Sequence, residues 1–544
     1  MRYLSENKRE DMRMKKRTAA RSMAALMGAA MVLTACGGGN TTAPTTGASS
    51  GGETQTASES AESGKITKTD IVVGQASDIV TLDPAGQQDT TSGVLMKHAY
   101  STLLDVDNEG KVVPDLAESY EMKSDTEYVF KLREDACFWD GTPVTAQDVK
   151  FSLDRAKGMP KTKSNTSKIE EVTVNGDHEV TIKLTEPYAA FKTIVTQHNL
   201  SILSEKAVTE AGDSYGDVDN LLGSGPFKVT EWVPNDHYTL VRNDNYWGEM
   251  PIATSITCRV IPEGSARTIA LEAGEIDVVW SVDPTDCANV ESNPDVKLLS
   301  QPSTGIDYVG MNTQKEKFSD KRVRQAINYA LDKQAFVDTI IEGRGLVANS
   351  YINAAIPGWT DEVEAYPYDP EKAKELLAEA GYPDGFECSI FVNGDLRTRS
   401  AQILQAQLAD VGIKVDISTY EWGALLDTLN AGEHEMFLLG WSNTSFDPDG
   451  STYQLFYSGN HGATGNRAFF SNDKVDELIL SAQRESEESK RMELYKELQF
   501  VLHEESPWGP LYYKENNVGV RADLKGFTLH AGAQHYLGNC HYEE

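Results

Sequence analysis

Phe386-Glu387-Cys388-Ser389-Ile390-Phe391-Val392 and Ile413-Lys414-Val415-Asp416-Ile417, with a helical run over 399–411 between them, decide the fold. Two β-rich segments around one helix form a β-α-β unit, whose crossover lays the strands parallel. The chain is therefore read as α/β. Just before this unit, Asp369-Pro370-Glu371 opens a helix that Gly381 ends: a capping acid, a proline in the first turn, and a glycine at the stop. Further upstream, Val323, Ala326, Ile327, Ala330 and Leu331 recur at i, i+3, i+4, i+7 and i+8, one apolar helix face. After the unit, 433–440 reads as another apolar strand, ending at Gly440-Trp441.

Shorter strands dominate the first half. Tyr128, Phe130 and Leu132 alternate, as do Val180, Ile182 and Leu184. Thr145 and Asp148 have capping-box spacing before a helix. Asp70-Ile71-Val72-Val73-Gly74 reads as the first strand of the folded body.

The N-terminal segment has a different character. Lys15, Lys16, Arg17 and Arg21 precede the apolar run 23–33, and Leu33-Thr34-Ala35-Cys36 follows. A basic segment, a short apolar core and a small-residue exit form an export signal over 1–35. The run is shorter than the roughly 20 apolar residues that span a bilayer. Leu-x-Ala-Cys resembles a bacterial lipobox, which makes Cys36 the expected lipidation site. Residues 37–64 are mostly Gly, Ser, Thr, Ala and Glu, so 36–65 is expected to be a lipidated cysteine with a disordered tether.

Composition narrows the function. The chain has 50 Lys+Arg against 83 Asp+Glu, net −33, and −38 without residues 1–35. Such a surface repels nucleic acid and anionic headgroups, so the expected membrane contact is the lipid alone. Five cysteines besides Cys36 cannot all pair, and none is near another in sequence, which suits buried free thiols, with a single disulfide as the alternative. The chain lacks His-Glu-x-x-His, Gly-x-Ser-x-Gly and a phosphate loop ending in Gly-Lys-Ser/Thr, so no catalytic residue, metal site or cofactor is expected.

Several phrases in order carry a resemblance. They are 113–120 (Val-Pro-Asp-Leu-Ala-Glu-Ser-Tyr), 138–149 from Phe138-Trp139-Asp140-Gly141-Thr142-Pro143, Gly223-Ser224-Gly225-Pro226-Phe227, Asn245-Tyr246-Trp247-Gly248, 322–332, Tyr420-Glu421-Trp422 and Pro510-Leu511-Tyr512. Together they resemble family 5 of the extracellular solute-binding proteins, the dipeptide, oligopeptide and nickel binders of ABC importers. The resemblance implies a two-lobe periplasmic-binding-protein fold of type II, with the extra subdomain of peptide binders. It implies lobe I over 66–302 plus 505–544, the subdomain near 100–214, and lobe II over 303–504. Two crossing segments, 301–311 and 506–513, would form the hinge. Trp139, Tyr246 and Trp247 are read as core packing.

The ligand is expected beyond the carboxyl ends of the strands, near Trp441, Asn443, Thr444 and Asp447. In the peptide binders an aspartate stands three residues after this tryptophan and pairs with the α-ammonium. Here Thr444 occupies that position, and a hydroxyl brings no charge. Asp447 could substitute, or could belong to a solvated turn. Trp422 and Trp441 either stack on the ligand or fill the lobe interface. Arg397 and Arg399 either fork onto a carboxylate or balance an acidic surface. Asn466 and Arg467 follow a Gly-rich loop, while Gln87 and Gln88 follow Leu82-Asp83-Pro84-Ala85, where the resemblance places first-lobe contacts. The resemblance implies a monomeric lipoprotein on the outer face of the cytoplasmic membrane. It would hand a small peptide to an ABC permease and ATPase. The anchor and tether suggest a Gram-positive surface. The alternatives are a chelated metal or other small solute, and a receptor for peptide signals.

Overall fold

The computed structural model describes residues 65–544. The expected signal, the lipidation site Cys36 and the tether lie outside them, apart from residue 65. One sheet of eleven strands runs through the body. Its order is Ile413–Thr419, Phe386–Val392, Met436–Ser442, Val296–Met311, Trp508–Arg521, Val278–Val279, Asp70–Gln75, Ser255–Val260, His237–Arg242 and Phe227–Val233, with Gly345–Val347 paired beside Trp508–Arg521.

The β-α-β unit forms as the sequence predicts. Phe386 to Val392 run parallel to Ile413 to Thr419 in unbroken register. The helix between them is Gly394–Ala409, beginning five residues before the expected start. Gly394 adopts φ +74 and turns the chain directly from strand to helix, while the polar Asp395-Leu396-Arg397-Thr398 masks the first turn from a hydrophobic reading. The early start places Arg397 and Arg399 beside the carboxyl end of the strand. The apolar strand also shifts, to Met436–Ser442.

Other local readings hold. Asp70–Gln75, Glu127–Leu132 and Glu179–Leu184 are strands, with Tyr128, Phe130, Leu132, Val180, Ile182 and Leu184 buried. Thr145 and Asp148 form both bonds of the capping box on the helix Ala146–Lys157. Lys321–Ala330 buries Val323, Ala326, Ile327 and Ala330. Pro370–Glu379 is capped by Asp369, and Gly381 has φ +93. Trp139 and Trp247 donate to the carbonyls of Gly225 and Ser224 inside the body. Gly223 is required there, because a Cβ would lie 2.1 Å from the Ala99 carbonyl oxygen. Among the described residues Cys137, Cys258, Cys287, Cys388 and Cys540 form no disulfide with one another.

Two strands carry the chain between lobes. Val296–Met311 and Trp508–Arg521 pair antiparallel, but their register breaks between Pro302 and Ile306. The apolar cores divide at that break. Two cores draw on residues from Ile306 to Tyr513. Three others draw on residues up to Val296 and from Val518 onward, the 103–202 core being that of the extra subdomain. Trp508, Leu511, Tyr512 and Tyr513, within the expected crossing segment 506–513, pack with the second-lobe cores.

Candidate ligand-binding cleft

The lobes are closed on one another. Tyr188 of the subdomain donates to Asp449 Oδ2 of the second lobe at 2.6 Å, and Ala189 N donates to the Gln483 carbonyl at 2.8 Å. Gln454 Nε2 donates to Asn165 Oδ1 at 2.6 Å, and Thr444 Oγ1 to Gln197 Oε1 at 2.9 Å. On the other side, Arg399 Nη2 reaches Asp283 Oδ1 at 2.9 Å. Between these contacts lies a cavity of about 400 Å³, at the small end of the range of ligand sites.

Both lobes supply its walls. The first gives Gln75, Gln87, Gln88, Asp89, Trp280 and Gln534, and the subdomain adds Asn165, Gln197, His198 and Asn199. The second gives Arg397, Trp422, Trp441, Thr444, Arg467 and Lys514. Of the residues singled out from sequence, Gln87, Gln88, Arg397, Trp422, Trp441, Thr444 and Arg467 line this space. The other four do not. Asn443 is buried and donates to the Asp447 carbonyl and to Ser451. Asn466 is buried and ties its loop to Tyr457 and Phe470. Arg399 is spent on Asp283 at the rim. Asp447 turns inward to a buried pair with Arg491, at 2.5 and 2.9 Å. A carboxylate held this way does not face a ligand, so the substitute for Thr444 is not Asp447. Asp449, next to it, is buried, and burial pushes its carboxyl up to about 6.

The cavity wall carries polar atoms that the protein leaves unpaired. Among the described residues nineteen buried side-chain nitrogens and oxygens lack a hydrogen-bond partner, and eight of these belong to the cavity lining. The donors are Gln75 Nε2, Trp280 Nε1, Arg397 Nε and Trp422 Nε1; the acceptors are Gln88 Oε1, Asp89 Oδ2 and Gln534 Oε1; His198 Nδ1 is the eighth. Burial lowers the His198 pKa to about 3, so its ring is neutral. An unpaired buried polar group costs about 1–3 kcal/mol. Their concentration on one cavity is the arrangement that a polar solute would repay.

The charges are also sorted by lobe. Lys514 Nζ lies 2.9 Å from Asp307 Oδ2, and Arg397 Nη2 is 3.9 Å from Asp307 Oδ1, so two cations share one carboxylate. The Arg397 guanidinium also stands 5.9 Å from the centre of the Trp422 ring. Arg467 is buried and makes no ion pair among the described residues; its Nε donates to Asn430. Asp89 Oδ1 caps the helix Thr90–Ala99 through Ser92 N, leaving Oδ2 free. Burial raises its pKa. Sequence reasoning missed Asp89 because an aspartate before a helix reads as a cap. It missed Asn165, Gln197 and Gln534 because only tertiary folding brings them to the cleft. Among the described residues no three His, Cys, Asp or Glu side chains converge as a metal site, and no helix is long and apolar enough to cross a membrane.

Two closed lobes around a polar cavity, joined by two crossing strands, define a solute-binding protein. The chain belongs to family 5 of the bacterial extracellular solute-binding proteins: residues 111–463 match the profile described as "Bacterial extracellular solute-binding proteins, family 5 Middle". This is a binding family and not an enzymatic one. The chain is 32% identical over 479 residues to the glutathione-binding protein GsiB of Escherichia coli K12, across 85% of this chain and 92% of that one. It superimposes with a TM-score of 0.84 on the periplasmic binding protein DppA of Helicobacter pylori in complex with the peptide STSA. That match has 28% identity and covers 88% of this chain and 99% of that one. AppA of Bacillus subtilis, an oligopeptide-binding protein solved with a nonapeptide, matches at TM-score 0.81 and 26% identity, over 88% of this chain and all of AppA.

Proposed function

We propose that this chain is the substrate-binding lipoprotein of an ABC importer, capturing a short peptide between its lobes and delivering it to a membrane permease. The observation that carries the ligand class is the set of unpaired donors and acceptors on the closed cavity, with cations from the second lobe and a carboxylate from the first. That set suits a small zwitterionic solute bearing amides. A cavity of about 400 Å³ favours a ligand of a few residues. The names of the relatives, glutathione-binding and peptide-binding, point the same way.

The proposed lobes are 66–302 with about 515–544, and 303–514, with the subdomain near 100–214 set into the first. Closure follows the ligand's greater affinity for the closed state, through a hinge at the register break. Lipidation of Cys36 would hold the body at the outer face of the cytoplasmic membrane, as a monomer on a Gram-positive cell. Support for the anchor is the sequence pattern at 15–36 alone. The GsiB relatives come from Gram-negative bacteria, so the choice of host rests on that pattern too.

Isothermal titration of the exported protein with glutathione and with di- to tetrapeptides tests the ligand class. The expected result is saturable binding with a negative heat-capacity change. Flat titrations with all of them, alongside binding of a nickel chelate, would overturn the peptide reading in favour of a metal-chelate receptor.

A further inference from the structure

We infer that the C-terminal loop 530–535 is a ligand-contact element braced on the proposed hinge, in which Gln534 Oε1 accepts a hydrogen bond from an N–H of the bound solute. The assignment rests on the receptor reading above and adds to it a contact from the far end of the chain.

The loop is built as a rigid piece. His530 Nδ1 accepts from Gly532 N at 3.1 Å and from Gln534 N at 3.3 Å, and Ala533 N donates to the His530 carbonyl at 2.9 Å. His535 Nδ1 accepts from His530 N at 3.1 Å. Burial lowers the His530 pKa to about 4, so the ring is neutral and its Nδ1 is free to accept. These bonds hold Ala533 at φ +57, a left-handed conformation that alanine seldom adopts and that persists only where the surroundings impose it.

The same loop grips both crossing strands. The Ala531 carbonyl accepts from Thr304 N at 3.1 Å and from Asn516 Nδ2 at 2.9 Å. Thr304 lies in the register break of the outgoing strand and Asn516 on the return strand, so one carbonyl takes a donor from each. Asn516 Nδ2 also reaches the His530 carbonyl at 3.1 Å. The second lobe abuts the loop, since the Phe446 and His530 rings meet edge-on with centres 5.6 Å apart. A Cβ on Gly532 would lie 3.3 Å from Thr444 Cα.

From Ala533 to His535 the loop becomes cavity wall. Gln534 is 4% exposed, and its Oε1 is one of the covered acceptors without a donor. His535 stacks on Trp280 with ring centres 5.2 Å apart, and Trp280 Nε1 is one of the unpaired donors. The Gln534 amide lies against the helix Thr90–Ala99, where a Cβ on Gly93 would stand 3.0 Å from its Nε2. A covered acceptor is costly to leave bare, and a solute N–H in the cavity satisfies it.

Titration calorimetry uses whichever of glutathione and the di- to tetrapeptides binds the parent most tightly. Gln534→Met keeps the length of the side chain and removes the acceptor. It should weaken that ligand about five- to hundredfold, because a solute N–H is left unpaired, with melting of the ligand-free protein unchanged. Gly93→Ala puts a methyl where the Gln534 amide lies. Alanine is the better helix former, so melting should not fall, yet binding should weaken by a similar factor. In the double variant the two losses should not add, as expected when one residue acts through the other. A Gln534→Met protein that binds as the parent does, or two losses that add in full, overturns the inference and leaves a peptide receptor standing. A parent that binds none of these probes overturns both readings.

Discussion

Removing one hydroxyl should loosen the clamp. Tyr188 and Asp449 lie on opposite sides of the cleft, and the phenol donates to the buried carboxylate at 2.6 Å. In an open molecule both groups would meet water, so this bond counts only toward closure. Tyr188→Phe keeps the ring, which is 1% exposed and packs in the subdomain core. Asp449 retains Gln483 Nε2 at 2.9 Å as its other donor. A hydrogen bond to a charged group contributes about 1.5–3 kcal/mol, and every 1.4 kcal/mol is tenfold. Ligand release should therefore accelerate about ten- to hundredfold, while association changes little, because encounter occurs with the open form. Stopped-flow displacement measures both rates. An unchanged release rate in a variant that melts normally would refute the reasoning, since the contact would then not belong to the closed state.

Further predictions concern buried charge and backbone. Arg491→Met leaves Asp447 buried without its partner and should cost about 3–5 kcal/mol in a denaturant melt; Arg491→Lys should recover part of that. Asp449 has its folded-state pKa raised to about 6, so its protonated form is the one the fold favours. Its contribution to stability is fully present below the unfolded value near 3.8 and is lost as pH rises through 6. The melting temperature of Asp449→Asn minus that of the parent should accordingly increase from pH 4 to about 7 and level off above; a flat difference would contradict the assignment. Gly223→Ala drives a methyl to 2.1 Å from a carbonyl oxygen and should prevent accumulation of folded protein, as read by yield and circular dichroism.

The fold was legible wherever periodicity and punctuation coincide. Tyr128-Val129-Phe130-Lys131-Leu132 alternates and is a strand; Asp369-Pro370 and Gly381 bracket a helix as their local chemistry requires. The helix from Gly394 was partly hidden, because its first turn is polar and its start depends on one glycine's backbone freedom. Which core Trp508 to Tyr513 join was hidden, because that depends on the residues that surround them, which chain order does not reveal. The site was legible where a residue follows a strand end or a glycine-rich loop, as Trp441, Arg397 and Arg467 do. It was illegible where a partner decides the role. Asp447 looks like a cleft carboxylate until Arg491, far along the chain, claims it. Asp89 looks like a cap until the opposite lobe closes over its second oxygen.

The central claim is that two lobes shut on a small zwitterionic peptide. A crystal structure of the protein grown with glutathione tests it most directly. The account predicts ligand density in the interlobe cavity, touching Asp89 from one side and Arg467 and Arg397 from the other. Density on an outer face, with the cavity holding no ligand, would contradict it.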